Sequence, residues 1–258
     1  MIVNLRPDGW ECIYQQAHAL LAARIGAHWR PAHRPVPGRW AETLAALAQH
    51  DDGQDPWTGA NGLTPAGAPA PFKLVPFSLA QAQRVSAQAR FQGQWRWLLT
   101  SLHLSNLYEP LRGHHGAETD AFLDEQRAGQ ATVRRHLKVT KPAAEAAYAL
   151  LQFCDRLSLI LCLNELPDDE RRLEIGRAPN GTLHYCYRPG VGAGGELTAA
   201  PDAPIPVVVT PWPFEAAAFT VDVEATYLTR LSFADDDDLA AALRAGEIRP
   251  RTWAFQRA

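Results

Sequence analysis

The chain has 258 residues, of which 47% are hydrophobic and 21% charged, close to the usage of ordinary folded proteins. This length and composition predict a sizeable core and either one large domain or a main domain with a smaller companion. The formal net charge of −3 excludes a protein-wide basic field, so composition gives nucleic-acid binding no support. No apolar run is long enough to cross a bilayer, and residues 1–11 lack the apolar stretch of a signal peptide. We therefore expect a cytoplasmic protein that does not associate with membranes; composition leaves the oligomeric state open.

Helical spacing of apolar residues dominates the first two thirds of the chain. It predicts helices over residues 14–29, 39–50, 78–111, 117–137 and 142–163, with a break near Gly93. Residues 53–76 are dense in glycine and proline and show no periodicity. A loop of this length is typical of a functional cover or of a disordered excursion.

Strand patterns are concentrated towards the end of the chain. A first strand is expected at 1–5, and the later ones at 173–177, 183–188, 205–210, 219–223, 227–231 and 252–255, with a short helix over 237–245. Residues 179–182 read Pro-Asn-Gly-Thr, a hairpin signal between the second and third of these strands. The order of elements predicts a mainly α fold, in which a helical domain (1–168) carries a smaller β-rich C-terminal subdomain (169–258) packed on it.

The four cysteines form no Cys-x-x-Cys pair. Cys154 and Cys162 fall on one predicted helix, where two turns separate them by roughly 12 Å, too far for a disulfide. We expect all four thiols to be reduced, buried and apolar in role.

Histidines and aspartates recur on the apolar faces of several predicted helices. The dipeptide His50-Asp51 ends the second helix, where a freer backbone allows imidazole and carboxylate to converge on one ion. His18 follows the buried stripe of the first helix, and Asp155 lies in one of the most apolar segments. His103 lies in line with apolar residues of the fourth segment. Imidazole nitrogens together with carboxylate oxygens suit Mn, Fe, Zn or, with more water, Mg.

Each of these residues also has a purely structural interpretation. His18 and His103 could be hydrogen-bonded core histidines, and Asp155 could pair with Arg156, with an arginine from another helix or with a backbone group. The order His, then His-Asp, then Asp across successive helices is what favours a divalent metal site over separate structural roles.

This order resembles the HD superfamily of metal-dependent phosphohydrolases, with Asp155 in a helix that reads Asp-Arg-Leu-Ser. The resemblance implies an HD-like helical bundle, with His18, His50, Asp51 and Asp155 as the metal ligands. His103 matches the region in which two-metal branches of that superfamily add a ligand. The Gly-Tyr-Pro tripeptide usual in the cyclic-dinucleotide phosphodiesterase branch does not occur in the chain.

The chain as a whole also resembles a mostly bacterial family known as domain of unknown function 3891. The matching stretches are spread over most of the chain: Gly9-Trp10-Glu11, Gln16 to Leu21, Ala48 to Gly53, Ser101-Leu102-His103, Leu173 to Arg177 and Pro211 to Phe214. This resemblance implies no activity.

If the site is catalytic, we expect a metal-activated water to hydrolyse a nucleotide or another small phosphate-containing substrate. Asp52 could act as the general base, or it could be a turn aspartate. A phosphate-binding site also needs positively charged side chains, and one of these basic residues could bind a phosphate. The alternative is that they form a solvated basic face. Five of them cluster late in the 117–137 helix and just after it: Arg127, Arg134, Arg135, Lys138 and Lys141. Two other classes of function stay open. One is a non-catalytic metal- or ligand-binding protein, and the other is a two-iron oxygenase.

Two further motifs have structural explanations. Residues 235–238 are four aspartates without the alternation of a calcium loop, which favours capping of the next helix. The segment Pro211 to Phe214 could cover the metal pocket or could pack the β-rich part onto the helices.

Overall fold

A computed structural model of the chain describes residues 1–51, 62–168, 171–190 and 203–258. Its α-helices are α1 Gln15–Ala27, α2 Trp40–Ala48, α3 Leu79–Gln92, α4 Gln94–Tyr108, α5 Ala117–Leu137, α6 Lys141–Cys162 and α7 Asp236–Ala245. Its strands are β1 Ile2–Arg6, β2 Gly9–Ile13, β3 Leu173–Arg177, β4 Leu183–Tyr187, β5 Ile205–Thr210, β6 Ala218–Leu228 and β7 Glu247–Gln256. Each helix predicted from apolar spacing is confirmed to within three residues at its ends, and Gly93 does separate α3 from α4.

The strands form a single seven-stranded mixed sheet in the order β1-β2-β6-β7-β5-β4-β3. β1 and β2 form an antiparallel hairpin, and β2 continues the sheet by pairing Trp10 with Leu228 of β6. β7 lies between β6, with which it is antiparallel, and β5, with which it is parallel. The sheet therefore joins strands from both ends of the chain.

The predicted mainly α fold, an HD-like helical bundle with a smaller β-rich C-terminal subdomain, is wrong, because the fold is α/β. The first thirteen residues supply two strands of the sheet, and one of them, β2, was not predicted. Helix α1 packs against β6 as well as against α2 and α6. One buried apolar cluster contains Ile25 of α1, Phe153 of α6 and Val223 of β6. Periodicity reveals the strands one at a time, whereas their pairing partners lie up to about two hundred residues away and leave no local pattern.

The predicted domain boundary near residue 168 is a statement about which segments fold independently, and it stays a prediction. The structure adds that segments 1–168 and 169–258 share one sheet and one core. The predicted strand 219–223 and the first two residues of the predicted strand 227–231 belong to one long strand, β6, whereas residues 229–231 lie beyond its end.

Other local predictions are confirmed in the described residues. All four cysteines are free and buried. Asp235 caps α7, since its side chain accepts a hydrogen bond from the Asp238 amide at 2.8 Å. Phe214 is fully buried against Trp29, so the segment Pro211 to Phe214 packs between the sheet and the helices. No described helix combines the length and apolarity needed to span a membrane.

Two helix contacts determine where the site lies. α1 packs against both α2 and α6, so side chains from these three helices can converge at their shared interface. Gly26 allows the close approach of α1 to α2, because a Cβ atom there would lie 2.8 Å from the Leu47 side chain. The helices that carry His18, the His50-Asp51 turn and Asp155 are therefore immediate neighbours.

Candidate metal centre

Four elements bring their histidines and aspartates to one place. His18 lies in the first half of α1, Asp155 in the second half of α6, and His103 in the second half of α4. α2 ends at Ala48, so His50 and Asp51 lie in the turn that follows it, where the helical 100° spacing no longer separates them. The three imidazoles are buried, whereas the side chains of Asp51 and Asp155 keep 21% and 18% of their surface exposed.

The distances between these groups are short. His18 Nε2 lies 2.8 Å from Asp51 Oδ2, and His50 Nε2 lies 3.3 Å from Asp155 Oδ1 and 3.8 Å from Asp51 Oδ2. Ligand atoms of His18, His50 and Asp51 all lie within 4.8 Å of one another, and so do those of His50, His103 and Asp155. The described structure thus contains two groups that could hold a metal ion, and they share His50.

The ring of His50 is oriented by the backbone. Its Nδ1 lies 2.7 Å from the carbonyl oxygen of Leu47. A carbonyl can only accept, so Nδ1 carries a hydrogen and donates it. Nε2 is therefore the nitrogen that faces the two carboxylates, as in metal-binding histidines whose second nitrogen donates to a backbone carbonyl.

The ring of His18 is oriented in the same way by a serine. The Ser158 hydroxyl donates to the backbone carbonyl of Asp155 at 2.8 Å, and His18 Nδ1 lies 2.9 Å from that hydroxyl oxygen. A hydroxyl has one hydrogen, so the oxygen accepts from His18 Nδ1–H. Nε2 of His18 is left facing Asp51, and Ser158 links this ring to the helix of Asp155.

Two negative carboxylates beside buried imidazoles control the electrostatics. Burial opposes ionisation of Asp51 and Asp155, but His50 and the other histidines outweigh it, so the pKa of each carboxyl lies below its ordinary value. Burial also disfavours a charged His50, yet the two carboxylates raise its pKa to about 10. Burial and the charge on His50 lower the pKa of His103 to about 4. The centre therefore attracts positive charge, which a proton on His50 or a bound cation supplies.

Three neighbouring polar residues were not singled out from the sequence as parts of the site. Gln15 is buried, and its amide nitrogen lies 3.5 Å from Asp51 Oδ2. Ser158 orients His18, and the Tyr148 hydroxyl lies 3.4 Å from His103 Nδ1. Helical spacing could have indicated each of them, because residues three or seven apart lie on the same face of a helix. Gln15 precedes His18 by three residues, Ser158 follows Asp155 by three, and Tyr148 precedes Asp155 by seven.

Other predicted site residues lie elsewhere. Asp52, the candidate base, falls outside the described residues, as does the adjoining part of the 53–76 loop up to residue 61. In the basic cluster, Arg127 pairs with Glu109 at 2.7 Å and Lys141 with Glu145 at 3.5 Å, and both cations are well exposed. Such pairs favour the interpretation of a solvated basic face.

Two imidazoles and two carboxylates, from α1, α6 and the turn after α2, thus form a centre of the kind that could hold a metal ion. A family model described as "Protein of unknown function (DUF3891)" matches residues 1–230, and the chain belongs to that family. No curated protein and no solved structure gives a significant match.

Proposed function

We propose that the chain is a metal-dependent phosphohydrolase that acts on a nucleotide or another phosphate ester. The observation that carries the proposal is the convergence of His18, His50, Asp51 and Asp155, with both Nε2 atoms directed at the carboxylates. Support also comes from the order of these residues along the chain, which is that of the HD superfamily.

The spacing of the donor atoms fits a first-row divalent ion. With metal–ligand bonds of about 2.1 Å, neighbouring ligand atoms in a four- to six-coordinate sphere lie about 3.0–3.4 Å apart. The distances from Nε2 to carboxylate oxygen at the centre, from 2.8 to 3.8 Å, bracket that range. Mixed imidazole and carboxylate donors favour Mn, Fe, Zn or, with more water, Mg.

The hydrogen bond of His50 favours one ion over two. An imidazole nitrogen has one lone pair, and Nδ1 of His50 is occupied by the Leu47 carbonyl. Nε2 can therefore bind only one ion. We infer that this ion lies where the two groups overlap at His50, and that it is held by His18, His50 and Asp51 of one group and Asp155 of the other, with His103 beside it.

Chemistry at such a centre follows from the ion and from the residues around it. A bound divalent cation lowers the pKa of its water towards neutrality and polarises a phosphoryl oxygen. Leu47 and Ser158 hold the two rings, and Gln15 donates to Asp51, so the ligand set is pre-oriented. Asp52 adjoins the ligands in the chain, and its proposed role as general base stays a prediction.

Metal content tests the site. We expect protein purified without added metal, analysed by plasma mass spectrometry, to carry about one equivalent of a divalent ion per chain. Asp51→Asn and Asp155→Asn should lose it while retaining a native circular dichroism spectrum. Asp222→Asn, which removes a carboxylate from a surface ion pair with Arg24, is the matched control and should keep the ion. Wild-type protein that neither carries nor takes up Mn, Fe, Zn or Mg would reject the proposal.

Phosphate release tests the activity. Wild-type protein reconstituted with the ion should release phosphate from at least one member of a panel of nucleotides, sugar phosphates and phosphodiesters, and Asp51→Asn should not. Stable metal binding without turnover of any member would instead assign a non-catalytic metal- or ligand-binding role. Two irons per chain with oxygen consumption would assign the oxygenase.

A further inference from the structure

The third histidine of the centre is held by a different kind of partner from the other two. His103 lies on α4 and Tyr148 on α6, and both are buried, with 4% and 8% of their surfaces exposed. The Tyr148 hydroxyl lies 3.4 Å from His103 Nδ1. His103 also places a ring nitrogen within 4.8 Å of ligand atoms of His50 and Asp155.

The direction of the Tyr148–His103 hydrogen bond follows from the chemistry of the two groups. A phenol hydroxyl is a stronger donor and a weaker acceptor than a neutral imidazole nitrogen. The Tyr148 hydroxyl therefore donates its single hydrogen to His103 Nδ1. An imidazole whose Nδ1 accepts carries its own hydrogen on Nε2.

His18 and His50 have the opposite arrangement. Their Nδ1 atoms donate, to Ser158 and to the Leu47 carbonyl, and their Nε2 atoms face the carboxylates, where a cation can replace a proton. The centre therefore combines two rings suited to binding a cation with one ring suited to donating a hydrogen bond. A nitrogen that carries a hydrogen cannot ligate an ion, but it can bind an oxygen that is itself bound there.

We propose that Tyr148 holds His103 as the Nε2–H tautomer, and that His103 donates this hydrogen to an anionic phosphoryl oxygen held at the metal centre. This inference rests on the proposed function, because it places the oxyanion at the proposed ion. It makes Tyr148 a positioning residue and His103 a residue that contacts substrate, and it selects for ligands with a phosphate-like oxyanion.

The experiment compares wild type with His103→Leu, His103→Gln and Tyr148→Phe, all loaded with Zn²⁺, a diamagnetic ion. Metal content is measured by plasma mass spectrometry, affinity for inorganic phosphate by calorimetry, and the tautomer of His103 by ¹⁵N nuclear magnetic resonance. Tyr185→Phe, which removes a hydroxyl from β4, is the matched control for the tyrosine change.

We expect one equivalent of Zn²⁺ in every variant and the Nε2–H tautomer in wild type. Phosphate affinity should fall about 10- to 100-fold in His103→Leu, the usual effect of losing a hydrogen bond to a charged group. It should fall less in His103→Gln, since a glutamine amide can donate from a similar position. Tyr148→Phe should give a mixture of tautomers and an intermediate loss of affinity, whereas Tyr185→Phe should match wild type.

Three outcomes would overturn the inference. A wild-type His103 with its hydrogen on Nδ1 would contradict the hydrogen-bond direction, whatever the metal content. Two Zn²⁺ per chain, reduced to one in His103→Leu, would make His103 a ligand and leave the proposed phosphohydrolase standing. Wild-type protein that binds no Zn²⁺ would contradict both the proposed phosphohydrolase and the proposed role of His103. The metal measurement alone distinguishes this outcome from the other two.

Discussion

At the scale of single residues, the hydrogen-bond partner of each ring decides what a histidine at this centre can do. The ring centroid of His50 lies 5.2 Å from that of His18 and 5.2 Å from that of His103, yet the three Nδ1 atoms meet a carbonyl, a serine hydroxyl and a tyrosine hydroxyl. The first two partners accept and the third donates. In the proposed centre the same type of side chain would thereby serve two different roles, metal ligation by His18 and His50 and hydrogen-bond donation by His103.

The pKa of His50 leads to a prediction about the metal-free protein. Its folded-state value, about 10, lies above the ordinary 6.5, because Asp51 and Asp155 outweigh the effect of burial. A raised pKa stabilises the folded state fully below pH 6.5, and this contribution is lost as pH rises towards 10. We therefore expect the free energy of unfolding in a metal chelator, measured by urea denaturation, to decrease between pH 6.5 and 9.

The matched comparison for this pH effect is His50→Gln, which cannot take up a proton. Its stability should depend much less on pH over the same interval, although it should be lower at pH 6.5. Parallel pH profiles for the two proteins would show that His50 is not the group responsible.

At the scale of elements, the contact between α4 and α5 depends on a glycine in the middle of a helix. Gly129 of α5 faces the indole of Trp97 on α4, and a Cβ atom there would lie 2.4 Å from the ring. Trp97 is buried and donates from its indole nitrogen to Ser86 at 3.0 Å, so the ring has little room to move. This close approach helps to place α4, which carries His103.

Gly129→Ala is therefore expected to destabilise the protein. Replacing glycine with alanine within a helix stabilises the helix by about 1 kcal/mol, but overpacking against a rigid ring costs about 1–3 kcal/mol. The cost of overpacking is therefore expected to exceed the gain in helix stability. Thermal unfolding should show a lower midpoint for the variant. In a Trp97→Phe background, where the smaller ring leaves space, the same substitution should be neutral or stabilising. Equal destabilisation in both backgrounds would mean that the indole is not the obstacle.

At the scale of the whole molecule, a buried cluster of polar and charged residues connects strands from the two ends of the chain. Glu11 of β2 is fully buried and accepts from Arg251 of β7 at 2.6 Å, from Tyr227 of β6 at 3.0 Å and from Asn4 of β1 at 2.9 Å. Asn4 also donates to the carbonyl of Cys162 at the end of α6. Strands from residues 1–13 and 218–256 are thus joined to the helix that carries Asp155.

From these contacts we predict that a fragment of residues 1–168 does not fold alone. It would expose the face of α1 that packs on β6, and it would leave the buried Glu11 without Arg251, the nearer of its two arginine partners; breaking a buried ion pair typically costs about 3–5 kcal/mol. Circular dichroism and urea denaturation should show no cooperative transition for the fragment, whereas a chain of residues 1–256 should unfold as the full protein does. Cooperative unfolding of the fragment would establish an independent helical domain.

Local structure could largely be predicted from the sequence. Helix α5 was placed at its observed bounds, and strands β3 and β5 likewise, because apolar periodicity and β-branched composition act within a few residues. Strand β2 was missed because the residues of Gly9 to Ile13 do not alternate in polarity, and its one charged residue, Glu11, is buried. The prediction of two strands left out residues 224–226, although β6 is continuous there and Glu224 occupies an exposed position on it.

The sequence by itself determined the helices and most of the strands, because amphipathic spacing is visible in a linear pattern. It also drew attention to His18, His50, Asp51 and Asp155, because polar groups on apolar faces are costly to bury, and their role as ligands stays a prediction. Only the tertiary structure decided that the chain is α/β, since strand pairing between residues 9–13 and 218–228 has no local signature. It also decided that these four residues meet, and which nitrogen of each ring faces the others. Those outcomes depend on the packing of α1, α2, α4 and α6, and on single hydrogen bonds from Leu47, Ser158 and Tyr148, which form only when distant segments come together.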